Sequence, residues 1–486
     1  MNIIKAEIAK PNPKSTINSY RSFGYNLSTA IADIIDNSIS AGADRIFLEY
    51  KWKGKDSYIT ILDNGCGMHK EELVQAMTPG SKDPDEERNE KDLGRFGMGL
   101  KTASFSQCKR LTCITKKENY AIIKRCWDID FINQENEWQL LDYVSDELFV
   151  DKIANQKSGT LVLWEKLDRI VGEAESTNEK VKKAFYDEMV TVKKHLSLVF
   201  HKFIESKSLK IFFQNDEIEA NNPFLLHLDP KPEMGQPEQF DNVEITYFIL
   251  PHMSEIGKEE YEKTGGSLGW FEQQGFYVYR GSRLLVAGDW LGFQKKRDYS
   301  KLARIAVNFS NIGDFNWKLD IKKSTATPPI EIRKELDRIS KIAITKSAKI
   351  YNWRGQKDID RIGISNYQPL WLDEKTREGI KKYKINRQHP IIKTLLDTEK
   401  TKLFQKALKL LEENVPIELI LSNQNEDPSL HELEKQIEKP TDELINLAME
   451  LYNIHISQGV PASLARQQIM NATPFNLYPL INEYLR

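Results

Sequence analysis

Residues 92–104 read DLGRFGMGLKTAS. Gly94, Gly97 and Gly99 form a GxxGxG array that runs straight into a helix-like segment carrying Lys101. Glycines so closely spaced let a backbone approach something, and the amides of a helix start favour an anion. The array follows the polar stretch PGSKDPDEERNEKDL (residues 79–93), not a strand, and its order is not GxGxxG, so it is no dinucleotide fingerprint. No GxxxxGK[S/T] occurs, which excludes a P-loop. The polar stretch reads as a movable lid with the glycines as hinges.

Three further stretches surround it. NLSTAIADIIDNSISAGA has apolar residues at helical spacing, with Leu27, Ile31, Ile34, Ile35 and Ile39 recurring and Gly42 as the stop; within it, AIADIIDNSISAGA begins at Ala30. Asp33 and Asn37 are one turn apart on this helix, with ~5–6 Å between Cβ atoms. A carboxylate and a carboxamide so placed suit a metal-bound phosphate and a water, or else a solvated face. DNGCGM (residues 63–68) ends the strand-like SYITIL. Its two glycines allow a flat ligand against the backbone, and Asp63 can accept from an exocyclic amine; a plain Asx turn is the alternative. SGTLVLW (residues 158–164) opens a strand with Thr160, whose hydroxyl can reach the same aspartate directly or through water.

The chain of 486 residues is long enough for two or three domains, and 29% charged with 40% hydrophobic residues is a soluble globular composition. A formal net charge of -2 gives no global nucleic-acid signature. The four cysteines form no CxxC pair and no zinc spacing, as in a reduced cytoplasmic protein. MNIIKAEIAK lacks an apolar core, so no leader is expected, and no apolar run is long enough for a membrane span. Strand and helix signals alternate to about residue 350. Beyond it, KTKLFQKALKLLEEN and TDELINLAMELYNIH read as amphipathic helices, the second starting at Pro440-Thr441.

In this order and spacing, the four stretches resemble the N, G1, G2 and G3 boxes of the GHKL ATPases: gyrase, ninety-kilodalton heat-shock chaperones, histidine kinases and MutL. IDNS and GMGLK are most similar to the MORC branch and its bacterial relatives. The resemblance implies an α/β fold: an N-terminal Bergerat-fold α/β sandwich (residues 1–172), a transducer-like, S5-like α/β domain (173–350) and an α-helical C-terminal region (351–486). It implies ATP and Mg2+ as cofactors, with Asn37 as metal ligand and Asp63 reading the adenine amine. Gly65 and Gly67 would shape the adenine pocket, Gly94, Gly97 and Gly99 face the phosphates, Lys101 lie near them, and Thr160 lie near adenine. Met68, Arg95, Phe96, Met98, Leu100 and Thr102 join the nucleotide set as neighbours of these positions. The general base is glutamate in the family and Asp33 here, one methylene shorter, which implies slow hydrolysis or a water-relayed base. Asp36 is a weaker substitute, one step off the Asp33–Asn37 stripe.

By the same resemblance, a transducer lysine senses the γ-phosphate. WKLDIKKSTATPP offers Lys322 and Lys323, and alternation in an extended segment puts them on opposite faces. Arg280 and Arg283 flank the turn of GFYVYRGSRLL. The resemblance further implies an ATP-dependent homodimeric clamp, with DNA as client and defence against phage or mobile DNA as one setting. Two basic clusters, residues 295–304 and Lys109, Arg110, Lys116 and Lys117, would line it or else be solvated surface. The alternatives are a nucleotide-locked binding module with Asp33 a disabled base, and a sensor kinase using His431 in HELEK.

Overall fold

The computed structural model describes residues 11–81, 99–265, 269–310, 317–319, 326–360, 370–375, 381–398, 402–413, 415, 440–472, 474–475 and 478–485. Gly94, Arg95, Phe96, Gly97, Met98, Lys322, Lys323 and His431 lie outside the described residues. The chain forms two compact units, Met1–Lys349 and Ile350–Arg486.

The first unit begins with α1 (Pro13–Arg21), α2 (Leu27–Ser40), β1 (Arg45–Lys51), β2 (Tyr58–Asp63), α3 (Lys70–Met77) and α4 (Gly99–Phe105). It continues with β3 (Arg110–Lys116), β4 (Ile123–Asp128), α5 (Ile129–Glu135), α6 (Leu148–Ala154), β5 (Gly159–Glu165), α7 (Glu179–Val199), α8 (His201–Glu205), β6 (Lys210–Phe213) and β7 (Asp216–Glu217). The strands make one sheet in the order β4-β3-β5-β2-β1-β6-β7, antiparallel except for β1 with β6. LKIFFQN (residues 209–215) falls within the span 173–350 expected for the second domain, yet its strand β6 is part of the first sheet. Pairing with β1 buries Ile211 and Phe213 and stacks Phe212 on Phe47, ring centroids 4.9 Å apart.

Helix α2 forms as its periodicity predicts. The Asn26 side chain caps it by accepting from the Thr29 amide at 2.8 Å. It ends at Ala41, and Gly42 follows with φ +77. It packs against β2, α4 and α7 and is enclosed on almost every side.

A second sheet follows: β8 (Glu233–Met234), β9 (Glu238–Phe240), β10 (Val243–Ile249), β11 (Gly275–Arg280), β12 (Arg283–Asp289) and β13 (Ala303–Phe309). Its order is β12-β11-β13-β10-β8, with β9 also on β10. The two sheets share one core. Tyr277, Tyr279, Leu284 and Ala306 of the second sheet belong to the same buried cluster as Ile31 and Ile35 of α2 and Phe185 and Met189 of α7. Across this seam the Arg283 Nε donates to Asp36 Oδ1 at 2.8 Å, both side chains buried. The Lys202 ammonium donates to Asn308 Oδ1 at 2.6 Å and lies 3.7 Å from the Tyr279 ring centroid. Removing one member of a buried pair such as Asp36–Arg283 strands the other charge, typically at a cost of ~3–5 kcal/mol. The helix after Pro328-Pro329 spans Ile330–Asp360.

In the second unit, Trp371–Lys375 and Lys381–Ile385 pair as an antiparallel hairpin. WLDEK and KKYKI are so charged that no strand is expected there, and the hairpin is an addition to the helical reading. Among its described residues are the helices Pro390–Thr398, Lys402–Glu413, Asp442–Ser457 and Ala462–Met470. Thr441 caps the third of these through the Leu444 amide, at the expected start. No helix among the described residues is long and apolar enough to cross a membrane.

His195 on α7 lies beside the seam. Burial, and then the Arg283 guanidinium, push its pKa down to about 4, with Asp36 opposing them. Between the unfolded value near 6.5 and about 4, the unfolded chain binds a proton that the folded chain refuses. Stability is therefore complete above pH 6.5 and falls as pH drops through that window. In thermal melts from pH 7 to 4, His195→Gln is expected to lose less of its Tm than the wild type.

Candidate functional site

Asp63 ends β2, in register with Thr160 on β5. Its carboxylate is buried. Oδ1 accepts from the Gly65 amide at 2.9 Å and the Thr160 amide at 3.1 Å; Oδ2 accepts from the Ser38 hydroxyl at 2.8 Å. Burial raises its pKa, and the three donors only partly offset that. Two N–H donors occupy the lone pairs of Oδ1, so Oδ2 keeps the remaining acceptor direction. Thr160 thus reaches Asp63 through its amide and not through the expected hydroxyl. That hydroxyl is 3.1 Å from the Thr115 hydroxyl, which also donates to the Gly159 carbonyl at 3.0 Å and accepts from the Met68 amide at 3.0 Å.

The 63–68 loop is held against the end of α2. The Cys66 amide donates to the Ala41 carbonyl at 3.0 Å, and Asn64 Oδ1 accepts from the amides of Asp44 and Arg45 at 3.1 and 2.9 Å. Its glycines allow this closeness. A Cβ on Gly65 would lie 3.1 Å from Asp63 Oδ1, and one on Gly67, at φ +65, would lie 2.0 Å from the Lys116 carbonyl oxygen. The loop is more than an Asx turn: it is a wall pressed onto β3.

From Ala30 to Ser38, every residue of α2 is buried except Asn37, which is exposed. Asp33, one turn earlier, is buried and accepts from the Tyr25 hydroxyl at 2.8 Å. Its Oδ2 also lies 3.8 Å from where a Cβ on Gly99 would be, so the carboxylate sits beside the first residue of α4. Leu100 is half-buried, and Lys101 and Thr102 are buried on the same helix. The Lys101 ammonium donates to the Ala76 carbonyl at 2.9 Å, in the last turn of α3. Asp36 faces the opposite way, to Arg283. The described part of the expected set therefore gathers around α2, the 63–68 loop and the start of α4.

Tyr25, Ser38 and Thr115 are additions that motif reading passes over. Ser38 lies inside the quoted N-box stretch, one residue past Asn37. Thr115 has no local signal, because only the β3–β5 register brings it opposite Thr160.

Neither basic cluster is an open patch. Arg110 pairs with Asp128, Lys109 with Asp130 and Lys117 with Glu72, while Lys116 donates to the carbonyls of Ala154 and Gln156. In the other cluster, Arg304 is buried under Trp270 and Tyr277, Lys296 pairs with Glu272 and Lys301 with Asp298. Cys66 is exposed, and the other three thiols are buried and free; burial pushes Cys113 up to about 12 and Cys126 to about 11. Among the described residues, no group of three His, Cys, Asp or Glu is placed to hold a metal ion.

The family model of histidine kinase-, DNA gyrase B- and HSP90-like ATPases matches residues 25–160, the stretch that builds this site. The N-terminal domain is of the GHKL type. Relatives similar to it include ATPase morc-1 of Caenorhabditis elegans, 30% identical over 90 residues, which are 18% of this chain and 10% of that protein. The DNA mismatch repair protein MutL of Thermotoga maritima is 35% identical over 102 residues, 20% of this chain and 19% of that protein. ATPase MORC2B of Mus musculus is 35% identical over 94 residues, 18% of this chain and 9% of that protein. The chain thus spans less than a fifth of the length of each. The stretches that resemble the N, G1 and G3 boxes lie on α2, on the 63–68 loop and in β5.

The close approach of that loop to β3 is testable. Gly67→Ala is expected to destabilise the protein by about 1–3 kcal/mol, from the left-handed backbone and the clash at Lys116. Gly80 has a nearly equal φ of +67 but open space around it. Gly80→Ala should cost only the backbone part, so the gap between the two urea midpoints isolates the contact.

Proposed function

We propose that the GHKL domain binds ATP with Mg2+, that binding closes a homodimeric clamp, and that slow hydrolysis reopens it. The observation that carries the proposal is the Asp63 carboxylate, buried, held by three donors and left with one acceptor direction. An adenine amine is a donor of the right kind for it. Ser38, Thr115 and Thr160 orient that carboxylate and its wall. Asn37, the one open residue on the enclosed stretch of α2, would hold Mg2+, which supplies charge neutralisation to the triphosphate. Asp33 would accept the proton of the attacking water, with Tyr25 fixing its carboxylate. Lys101 would reach the phosphates only by leaving the Ala76 carbonyl. Lys322 and Lys323, on the segment after the second sheet, remain the proposed γ-phosphate sensors, with residues 173–350 as the transducer.

A DNA client is proposed from the relatives named for DNA mismatch repair. The two basic clusters lend it little, since most of their cations are paired or buried, although exposed pairs of this kind are weak, ~0–1 kcal/mol each. Defence against mobile DNA is a narrower form of the same proposal and rests on the MORC-like resemblance.

Steady-state Mg-ATP hydrolysis and ATP affinity, measured with and without duplex DNA, test this reading. Asp63→Asn is expected to weaken ATP at least tenfold (about 1.4 kcal/mol), because an amide N–H would meet the adenine amine. Asp33→Ala is expected to bind ATP within a few-fold of wild type and to lose turnover. A wild type that binds ATP without turnover would leave a nucleotide-locked binding module. Light scattering with a non-hydrolysable ATP analogue is expected to double the molar mass, and an unchanged mass would remove the clamp.

A further inference from the structure

We propose that the Asp36–Arg283 ion pair transmits the state of the nucleotide cleft to the second sheet. The inference rests on the nucleotide reading above and concerns residues outside the nucleotide set.

Asp36 and Asn37 are neighbours on one rigid helix, and they face opposite environments. Asn37 is open to solvent, whereas the Asp36 side chain is 0% exposed and meets an Arg283 side chain only 6% exposed. Any force applied at Asn37 moves Asp36 with it, because a helix turn is too stiff to absorb the displacement.

Arg283 starts β12, and its Nη1 donates to the Leu284 carbonyl of the same strand at 2.6 Å. Its guanidinium also lies 4.6 Å from the ring centroid of Phe200, at the junction of α7 and α8. A shift of Asp36 therefore pulls on a cation that is fixed to the β11–β12 hairpin. His195 lies beside the pair, and burial and the Arg283 guanidinium lower its pKa. A buried ion pair cannot slide gradually. Breaking it strands two charges without water, so the two sheets either move together or the pair re-forms in a second arrangement. Such a pair adds little net stability compared with apolar side chains of similar size, which makes its mechanical role separable from its structural one.

The test uses the full chain and Mg2+ with the non-hydrolysable analogue AMPPNP. Amide hydrogen exchange is followed in residues 275–289, and affinity is measured separately. In wild type, AMPPNP is expected to slow exchange in this hairpin at least threefold. Asp36→Leu combined with Arg283→Met removes both charges while keeping volume. It is expected to fold, to bind AMPPNP within threefold of wild type, and to lose the nucleotide-dependent change in the hairpin. A double variant that keeps that change overturns the proposal. So does a wild type that binds AMPPNP with no change at 275–289, a result that needs no variant to fold. A wild type that binds no nucleotide overturns the proposed function and this inference together.

Discussion

A helix enclosed on nearly every side leaves no room for an unpartnered charge, because a buried polar group without a hydrogen bond costs several kcal/mol. Helix α2 is such a helix, and it carries Asp33, Asp36 and Ser38 on its inner surfaces. Each finds its partner in a different part of the chain. Tyr25, in the turn before the helix, serves Asp33; Arg283 of the second sheet serves Asp36; and Ser38 serves Asp63 at the end of β2. The helix is thus tied to the strand beneath it, to the turn before it and to the sheet beyond the seam. Its single open position in this stretch, Asn37, is surrounded by fixed groups.

The same rule of satisfaction shapes the pocket floor. Asp63 is buried enough that its proton is held more tightly than in water, yet its oxygens take one hydroxyl and two amides. Those donors come from the loop, from β5 and from α2, so the carboxylate is fully held only when all three are in place. Glycine is needed at 67 and at 159 for the same reason. A Cβ at Gly159 would stand 2.1 Å from the Asp63 carbonyl oxygen. The site is pre-organised by close backbone contacts more than by many side chains.

The fold was legible where local signals sufficed. The apolar period of α2, its stop at Gly42, strands such as those in SYITIL, SGTLVLW and GFYVYRGSRLL, and the start at Thr441 follow from nearest-neighbour chemistry. Asp33 with Asn37, and Asp63 with Gly65 and Gly67, are each legible because each set sits in one contiguous motif. What escaped is what depends on pairing over long sequence distances. Thr115 meets Thr160 only through register, and LKIFFQN joins the first sheet only because β1 offers it an apolar edge. Arg283 was visible as one arginine at a turn, but its carboxylate is 247 positions away. The basic clusters are a related case: a run of lysines and arginines does not disclose which acids the fold will bring to them.

The parallel join of β1 with β6 also bears on how the protein is made. Arg45 to Leu48 pair with Lys210 to Phe213, so the first sheet cannot be completed until some 170 further residues have left the ribosome. Until then Phe47 lacks its stacking partner and β1 presents a bare edge to its surroundings. A recombinant fragment cut at residue 172 would carry that edge permanently, whereas one extended past Glu217 would carry the whole sheet.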